Sequence, residues 1–330
     1  MTKAQRPLGF PEYLHILQVP TPFPVGPVNL YLAEGDPPTL IDVGPRYAPA
    51  REVLEAALAA KGLRLADIGC FVLTHAHSDH YGQAGELAAA SGAAVLTHPA
   101  NFALMADYEV ERERRLAFYR TLMGEAGTPQ EEVLLVDRVR RQMGVFAVPV
   151  RPTGALKDGD TIRLGDEDWQ VLHTPGHAGG LICLYQPQRH LLLSSDHLLR
   201  DISSNPIVEP PEQEGENRPR RLADYIDQLQ RVAALPVAWA FPGHGPPIDD
   251  VPGLVARRLE FHRRRGEEIL QTLESGPKTP YEISRMLFPR LDPVNRFLAI
   301  SEVIGHLDIL EAEGRVSSAL EDGVRLWRRT

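Results

Sequence analysis

The stretch LTHAHSDHYGQAG, residues 73–85, follows a continuous apolar run that is typical of a buried strand. It places His75, His77, Asp79 and His80 in the pattern H-x-H-x-D-H. Imidazole and carboxylate groups are ligands that zinc, iron and similar borderline ions accept in proteins. Because the pattern follows the strand directly, we expect a metal site at the edge of a sheet.

Three later stretches carry the same kinds of side chain just after a strand-like run: TPGH ends at His177, SSDH contains Asp196, and FPGH ends at His244. In a layered α/β fold the strand ends meet at one edge, so these side chains can converge. Two ions about 3.5–4 Å apart can make hydroxide available at neutral pH. We therefore predict two divalent ions, zinc first and iron or manganese as alternatives, bound by His75, His77, Asp79, His80, His177, Asp196 and His244.

Composition narrows the class of protein. The chain has 330 residues, 43% of them hydrophobic, which predicts one large domain and a small one. Its net charge of -9 disfavours broad binding of nucleic-acid phosphates. We see no N-terminal targeting signal and no apolar run long enough for a bilayer. Cys70 and Cys183 lie in apolar runs and are expected to be buried thiols, so we expect a cytoplasmic protein without a membrane partner.

Residues 1–254 alternate short apolar runs with helical patterns, which predicts a mixed α/β catalytic domain. Residues 101–150 differ, because this segment is rich in Glu and Arg and predicts two helices broken around GEAGTP. We expect a helical insertion that acts as a lid, with Tyr108, Phe118 and Tyr119 against a small-molecule substrate. Ordinary packing between the two helices is the alternative for this aromatic stripe.

Residues 255–330 predict three helices and a hairpin with an Asp322-Gly323 turn, the element order of a winged helix. The third helix carries Arg296 against four acidic residues, Glu302, Asp308, Glu311 and Glu313. Such a surface is poor for binding phosphates. We therefore interpret this winged-helix-like domain as a packing or dimerisation module, with a homodimer as one outcome.

The motifs T-H-x-H-x-D-H, T-P-G-H, S-D and P-G-H-G, over about residues 14–247, resemble those of the metallo-β-lactamase superfamily. The C-terminal segment is similar to that of the lactamase-β-like branch, which includes an endoribonuclease and thioesterases. The resemblance implies an αββα sandwich in which Asp42 supports the metal loop. It implies catalytic roles for Asp79, as a proton acceptor, and Asp196. It also divides the ligands: His75, His77 and His177 for one ion, Asp79, His80 and His244 for the other, and Asp196 between them.

Three activities fit these residues. The first is a dinuclear hydrolase whose metal-bound hydroxide attacks the carbonyl of an ester, thioester or lactone of small or medium size. True β-lactamases of the superfamily usually lack this second-metal pattern, so antibiotic hydrolysis is not expected. The second is a nuclease, for which the basic run RRLEFHRRR at residues 257–265 is the candidate surface. The third is a mononuclear iron dioxygenase acting on a persulfide. A purely structural ion needs four ligands, fewer than this set provides.

Overall fold

The computed structural model describes residues 9–213 and 215–330, and two sheets form the centre of the molecule. The first sheet has six strands that are neighbours in chain order: β1 (Leu14–Val19), β2 (Val28–Ala33), β3 (Thr39–Ile41), β4 (Cys70–Leu73), β5 (Ala94–Thr97) and β6 (Gly154–Ala155). The second sheet has five: β7 (Thr161–Leu164), β8 (Glu167–His173), β9 (Ile182–Gln186), β10 (Leu191–Ser195) and β11 (Trp239–Pro242). Their spatial order is β11-β10-β9-β8-β7, and β11 runs parallel to β10.

Helices flank both sheets. Within the described ranges they are α1 (Ala48–Ala59), α2 (Ser78–Tyr81), α3 (Ala84–Ser91), α4 (Phe102–Ala106), α5 (Tyr108–Glu125), α6 (Gln130–Met143), α7 (Arg221–Ala233), α8 (Val251–Thr272), α9 (Pro280–Leu287) and α10 (Pro293–Ala312). A hairpin of β12 (Val316–Glu321) and β13 (Val324–Arg329) closes the chain.

Side-chain alternation along the strands produces the layers. In β2, Leu30 and Leu32 join the core beneath α1, whereas Tyr31 joins the core between the sheets. In β9, Cys183 packs with α7 and Ile182 faces the first sheet. Because successive residues of a strand point to opposite faces, each sheet is buried on both sides. The predicted αββα sandwich is confirmed.

The helical insertion has the two predicted long helices, α5 and α6, and the short α4 in addition. They break at Gly127, whose positive φ of 78° is accessible to glycine at little cost. The insertion does not stand alone, because Tyr119 and Val136 share a buried cluster with Phe297 and Ile300 of α10.

The C-terminal segment contains the predicted helix, helix, helix and hairpin. Its first helix, α8, begins at Val251 rather than at the predicted Val255, because the Asp250 side chain caps it by accepting from the Gly253 amide. The boundary predicted at residues 254 and 255 therefore falls inside a helix. Most of α10 is buried, and Arg296 is 2% exposed and donates to the backbone carbonyl of Leu291. This helix is a packing element.

Both cysteines are free thiols, Cys183 buried and Cys70 half-buried. Among the described residues, no helix combines the length and apolar character needed to cross a bilayer.

Candidate metal centre

The seven predicted metal ligands come together at loops that follow strands. His75 and His77 lie between β4 and α2, and α2 itself carries Asp79 and His80. The other three follow β8, β10 and β11: His177, Asp196 and His244. The tight spacing of the first motif thus supplies four ligands, and distant strands supply the remaining three.

The ligand atoms form two sets that meet at one carboxylate. His75, His77 and His177 form one set, and Asp79, His80 and His244 the other, with ligand atoms within 4.8 Å of one another in each. Asp196 lies between them. Its Oδ1 is 3.4 Å from His80 Nε2, and its Oδ2 is 3.5 Å from His177 Nε2 and 3.7 Å from His244 Nε2.

Buried polar atoms without partners test whether this donor set fits metal ions. His75 Nε2, His80 Nε2, His244 Nε2 and Asp196 Oδ1 form no hydrogen bond with any other described residue. Buried polar atoms are almost always hydrogen-bonded in folded proteins, so an unsatisfied cluster of this kind needs an explanation. Neutral imidazole and carboxylate facing a common space are the donors that zinc, iron and manganese accept. The residues present fit a metal site.

Hydrogen bonds behind the ligands fix their orientation. Three histidines are held through Nδ1, which leaves Nε2 toward the centre: His80 by the Asp42 carboxylate at 2.7 Å, His75 by the Thr74 hydroxyl at 3.0 Å, and His244 by the Pro27 carbonyl at 2.8 Å. Asp42 also accepts from the amide and hydroxyl of Thr74, both at 2.8 Å. Asp42 belongs to none of the ligand sets, so its position agrees with the supporting role that the resemblance implied.

Glycine is required in the FPGH turn by the closeness of the ligands. A Cβ atom at Gly243 would overlap Asp196 Oδ1 and lie 2.7 Å from His80 Cε1. The carboxylate can therefore sit between the two sets only where the neighbouring residue has no side chain.

Burial keeps the histidines of the first set in the form that binds metals. It lowers the pKa of His77 to about 3, and lowers the pKa of His75 and of His177 as well. Each ring is thus a neutral imidazole at neutral pH, with a lone pair available.

The second set is held by opposite charges. Burial acts to raise the pKa of Asp79, but His244, whose Nε2 lies 3.2 Å from Asp79 Oδ2, and the nearby His80 outweigh it and give a pKa of about 2. Burial acts to lower the pKa of His80, yet Asp196 and Asp42 raise it well above its usual range. The carboxylates of Asp196 and Asp42 attract positive charge to the position of His80. In the absence of metal, a proton on His80 supplies that charge.

A cavity of about 240 Å³ opens beside His77 and His177. The helical insertion forms its opposite wall through Leu104, Tyr108, Leu116, Tyr119, Arg140 and Met143. Two of the three predicted substrate residues, Tyr108 and Tyr119, line this cavity. Phe118 borders a second cavity near Trp327 instead, because successive residues of a helix point about 100° apart. We remove Phe118 from the proposed substrate-binding residues.

The side chains of this cavity that the sequence interpretation missed include Tyr81, Arg115 and Arg140. The spacing of Tyr108, Arg115 and Tyr119 places them on one stripe of α5, so helical periodicity could have found Arg115. Nothing in the spacing pointed to Arg140, which another helix brings to the cavity. The Tyr81 hydroxyl is buried and has no hydrogen-bond partner in the part of the chain that the structure describes.

Comparison with known proteins agrees with this geometry. The family model described as metallo-beta-lactamase superfamily matches residues 23–244. The chain belongs to the metallo-β-lactamase superfamily. A second model, described as metallo-beta-lactamase-like, C-terminal domain, matches residues 267–330. The resemblance seen in the motifs is confirmed, and this superfamily member is a hydrolase.

Three similar proteins illustrate the relationship. Probable metallo-hydrolase YqjP of Bacillus subtilis is 37% identical over 305 residues, 92% of this chain and 94% of that one. A metallo-beta-lactamase family protein from Thermus thermophilus has a solved structure with a TM-score of 0.82 and 32% identity, covering 96% of this chain and 99% of that one. The acyl-coenzyme A thioesterase MBLAC2 of Bos taurus is 50% identical, but only over 108 residues, 32% of this chain and 34% of that protein.

Proposed function

We propose that this superfamily member is a dinuclear metal hydrolase that cleaves thioesters, with esters and lactones as chemically related substrates. The observation that carries the proposal is the placement of the Asp196 carboxylate between two complete donor sets. One ion bound by one set and Asp196 would leave the three side chains of the other set without a metal ion. Two ions would use all seven side chains.

Bound ions would supply a water molecule of lowered pKa as nucleophile and would polarise the substrate carbonyl. The chain itself supplies orientation and proton handling. Asp79, ionised and less buried than Asp196, is placed to orient the attacking water and accept its proton at Oδ2, the atom 3.2 Å from His244 Nε2. Tyr81 lines the cavity, and its buried hydroxyl, which has no hydrogen-bond partner among the described residues, would donate a hydrogen bond to a bound substrate.

The cavity supports an acyl substrate. Leu104, Leu116 and Met143 provide apolar surface, and Tyr108 and Tyr119 provide aromatic surface, on the side opposite His77. The bovine relative is named an acyl-coenzyme A thioesterase, and its similarity covers 32% of this chain. We take thioesters as the first substrate class on these two grounds together.

The alternatives receive less support from the described residues. In the basic run at residues 257–265, Arg263 pairs with Glu260, and Arg265 lies 3.2 Å from Glu302. Arg258 donates to the backbone carbonyls of residues 199, 200 and 202. Because these guanidinium groups already have partners within the protein, α8 is disfavoured as a binding surface for nucleic-acid phosphates. The assembly of the second donor set favours two ions over the single iron of a persulfide dioxygenase.

The test is a panel of thioesters, esters, lactones, phosphodiesters and RNA, assayed with the metal-loaded protein and again after a chelator. We expect carbonyl hydrolysis that the chelator abolishes and that two equivalents of metal per chain restore. Phosphodiester cleavage alone, or oxygen uptake with one iron per chain, would contradict the proposal.

A further inference from the structure

The cavity beside the metal centre carries an excess of positive charge. Three arginines line it, Arg112, Arg115 and Arg140, against two acidic residues, Glu111 and Glu209. A cavity that must only accommodate an apolar acyl group has no need of three guanidiniums, because burying charge is costly. The partners of each arginine show which one is available to a ligand.

Two of the three arginines are neutralised by nearby carboxylates. Arg112 pairs with Glu109 at 2.5 Å, and Arg115 pairs with Glu209 at 3.0 Å. Glu209 also receives a 2.5 Å ion pair from Arg221. Burial acts to raise the pKa of Glu209, but these two arginines outweigh it and hold the pKa at about 2. Both carboxylate oxygens of Glu209 are therefore paired, one with Arg115 and one with Arg221.

Glu111, the other acidic residue that lines the cavity, does not pair with Arg140 either. Glu111 pairs with Arg114 at 2.8 Å, one turn along α5. Arg140 itself forms no ion pair and no hydrogen bond with any residue in 9–213 or 215–330. Its guanidinium lies over two aromatic rings, with Cζ 4.7 Å from the centroid of Tyr119 and 4.0 Å from that of Phe297. Ring faces leave the guanidinium N–H groups at its edge without acceptors.

The charge of Arg140 persists at any ordinary pH, since arginine keeps its proton in proteins. Burial, together with the positive charge of Arg115, lowers the pKa of Arg140, as expected for a cation whose charge is not balanced. The planar edge of a guanidinium matches the oxygens of a carboxylate or phosphate, which it binds with two parallel hydrogen bonds.

We propose that Arg140 binds an anionic group of the substrate, so that the hydrolase acts on acidic thioesters or esters. The carbonyl would lie at the end of the cavity formed by His77 and His177, and the carboxylate or phosphate at the end formed by α6. The inference rests on the proposed hydrolase function and names its substrate class. Two sources of the anion are chemically equivalent at this site: a carboxylate on the acyl group or a phosphate on the carrier.

A purely structural role for Arg140 makes a different prediction. As a cation–π contact between α6 and α10, it would stabilise the helical insertion and affect all substrates alike. The ratio of activities on acidic and neutral substrates therefore distinguishes a role of Arg140 in binding the substrate anion from a purely structural role.

The experiment compares kcat/KM for wild type, Arg140→Gln, Arg140→Lys and Arg138→Gln. Arg138 is the matched control, since it lies on the same helix, is exposed and does not line the cavity. Glutaryl-CoA against pentanoyl-CoA tests an acyl carboxylate. Pentanoyl-CoA against pentanoyl-N-acetylcysteamine tests a carrier phosphate. Titration of the metal-free proteins with glutarate and with inorganic phosphate gives a readout that needs no turnover.

We expect wild type to prefer the acidic member of one pair. Arg140→Gln should lower kcat/KM for that member roughly 10- to 100-fold, the effect of losing a charged hydrogen bond, and should lower kcat/KM for its neutral partner much less. Arg140→Lys should keep part of the preference, and Arg138→Gln all of it.

Equal losses on both members, or a wild type without preference, would overturn the inference while leaving the proposed hydrolase function intact. If wild type cleaves no thioester or ester, the proposed function fails, and the titration then tests by itself whether Arg140 binds an anion. Anion binding that only Arg140→Gln loses supports this site, and no binding overturns it.

Discussion

The metal centre and the cavity next to it share two histidines but are built differently. The centre is formed by short loops at strand ends, where hydrogen bonds with residues such as Asp42 and Thr74 orient His80 and His75. The cavity wall is formed by helices whose position depends on packing against α10, far along the chain. Changes at the centre should therefore affect every substrate, whereas changes in the wall should affect the choice of substrate.

The largest effect is expected from removal of a ligand. His77→Ala should lower kcat/KM on every substrate by more than about 100-fold, since loss of a supporting residue alone costs 10- to 100-fold. Activity and metal content measured together check this, with the exposed His190→Asn as control. Full turnover by His77→Ala would refute the assignment of the site.

A crowded backbone at the centre should give the next largest effect. In Gly243→Ala the new Cβ would collide with the Asp196 carboxylate, so we expect roughly 10- to 100-fold lower metal affinity. Gly124→Ala is the matched control, because a Cβ there meets no atom within 4 Å. Equal metal affinity in the two variants would show that Asp196 does not need its observed position.

Tyr81 belongs to the boundary between the two regions. Tyr81→Phe removes only the hydroxyl that lacks a partner among the described residues, so folding and metal content should be unchanged. We expect kcat to fall about 10-fold, the value of one hydrogen bond to a developing charge. Unchanged kcat on both acidic and neutral thioesters would remove Tyr81 from the mechanism.

The smallest effect is expected outside both regions, where His262 and His306 meet at 3.3 Å between α8 and α10. Burial and the neighbouring His306 lower the pKa of His262 to about 3, and burial lowers that of His306 to about 4. Unfolded histidine binds a proton below about pH 6.5, so the unfolded state gains protons first and stability falls on acidification.

His262→Gln should reduce this loss by at most about 1.4 kcal/mol per pH unit between pH 6.5 and 5. Urea unfolding across that range measures it, with His190→Asn as control. An identical pH slope in His262→Gln and wild type would show that this histidine takes up no proton on unfolding.

The resemblance in the motifs implied the αββα sandwich, whereas the alternation of strands and helices and the ligand positions could be predicted from the sequence for physical reasons. Strand periodicity is local, and the chemistry of a metal site restricts its ligands to a few residue types at strand ends. His75, His77, Asp79 and His80 are adjacent in the chain, so their proximity was never in doubt.

The cavity could not be predicted in the same way. Its chemistry depends on which face of α5 turns inward and on a cation from α6 that rests against Phe297 of α10. The adjacent residues Phe118 and Tyr119, both predicted to contact substrate, show the difference, since a single residue step on a helix moves a side chain from one cavity to another.

The central claim is that two ions share Asp196. Metal content per chain, measured by mass spectrometry after saturation and removal of excess metal, tests it most directly. The account predicts two ions in wild type and fewer in Asp196→Ala. One ion per chain in the saturated wild type, unchanged by Asp196→Ala, would contradict it.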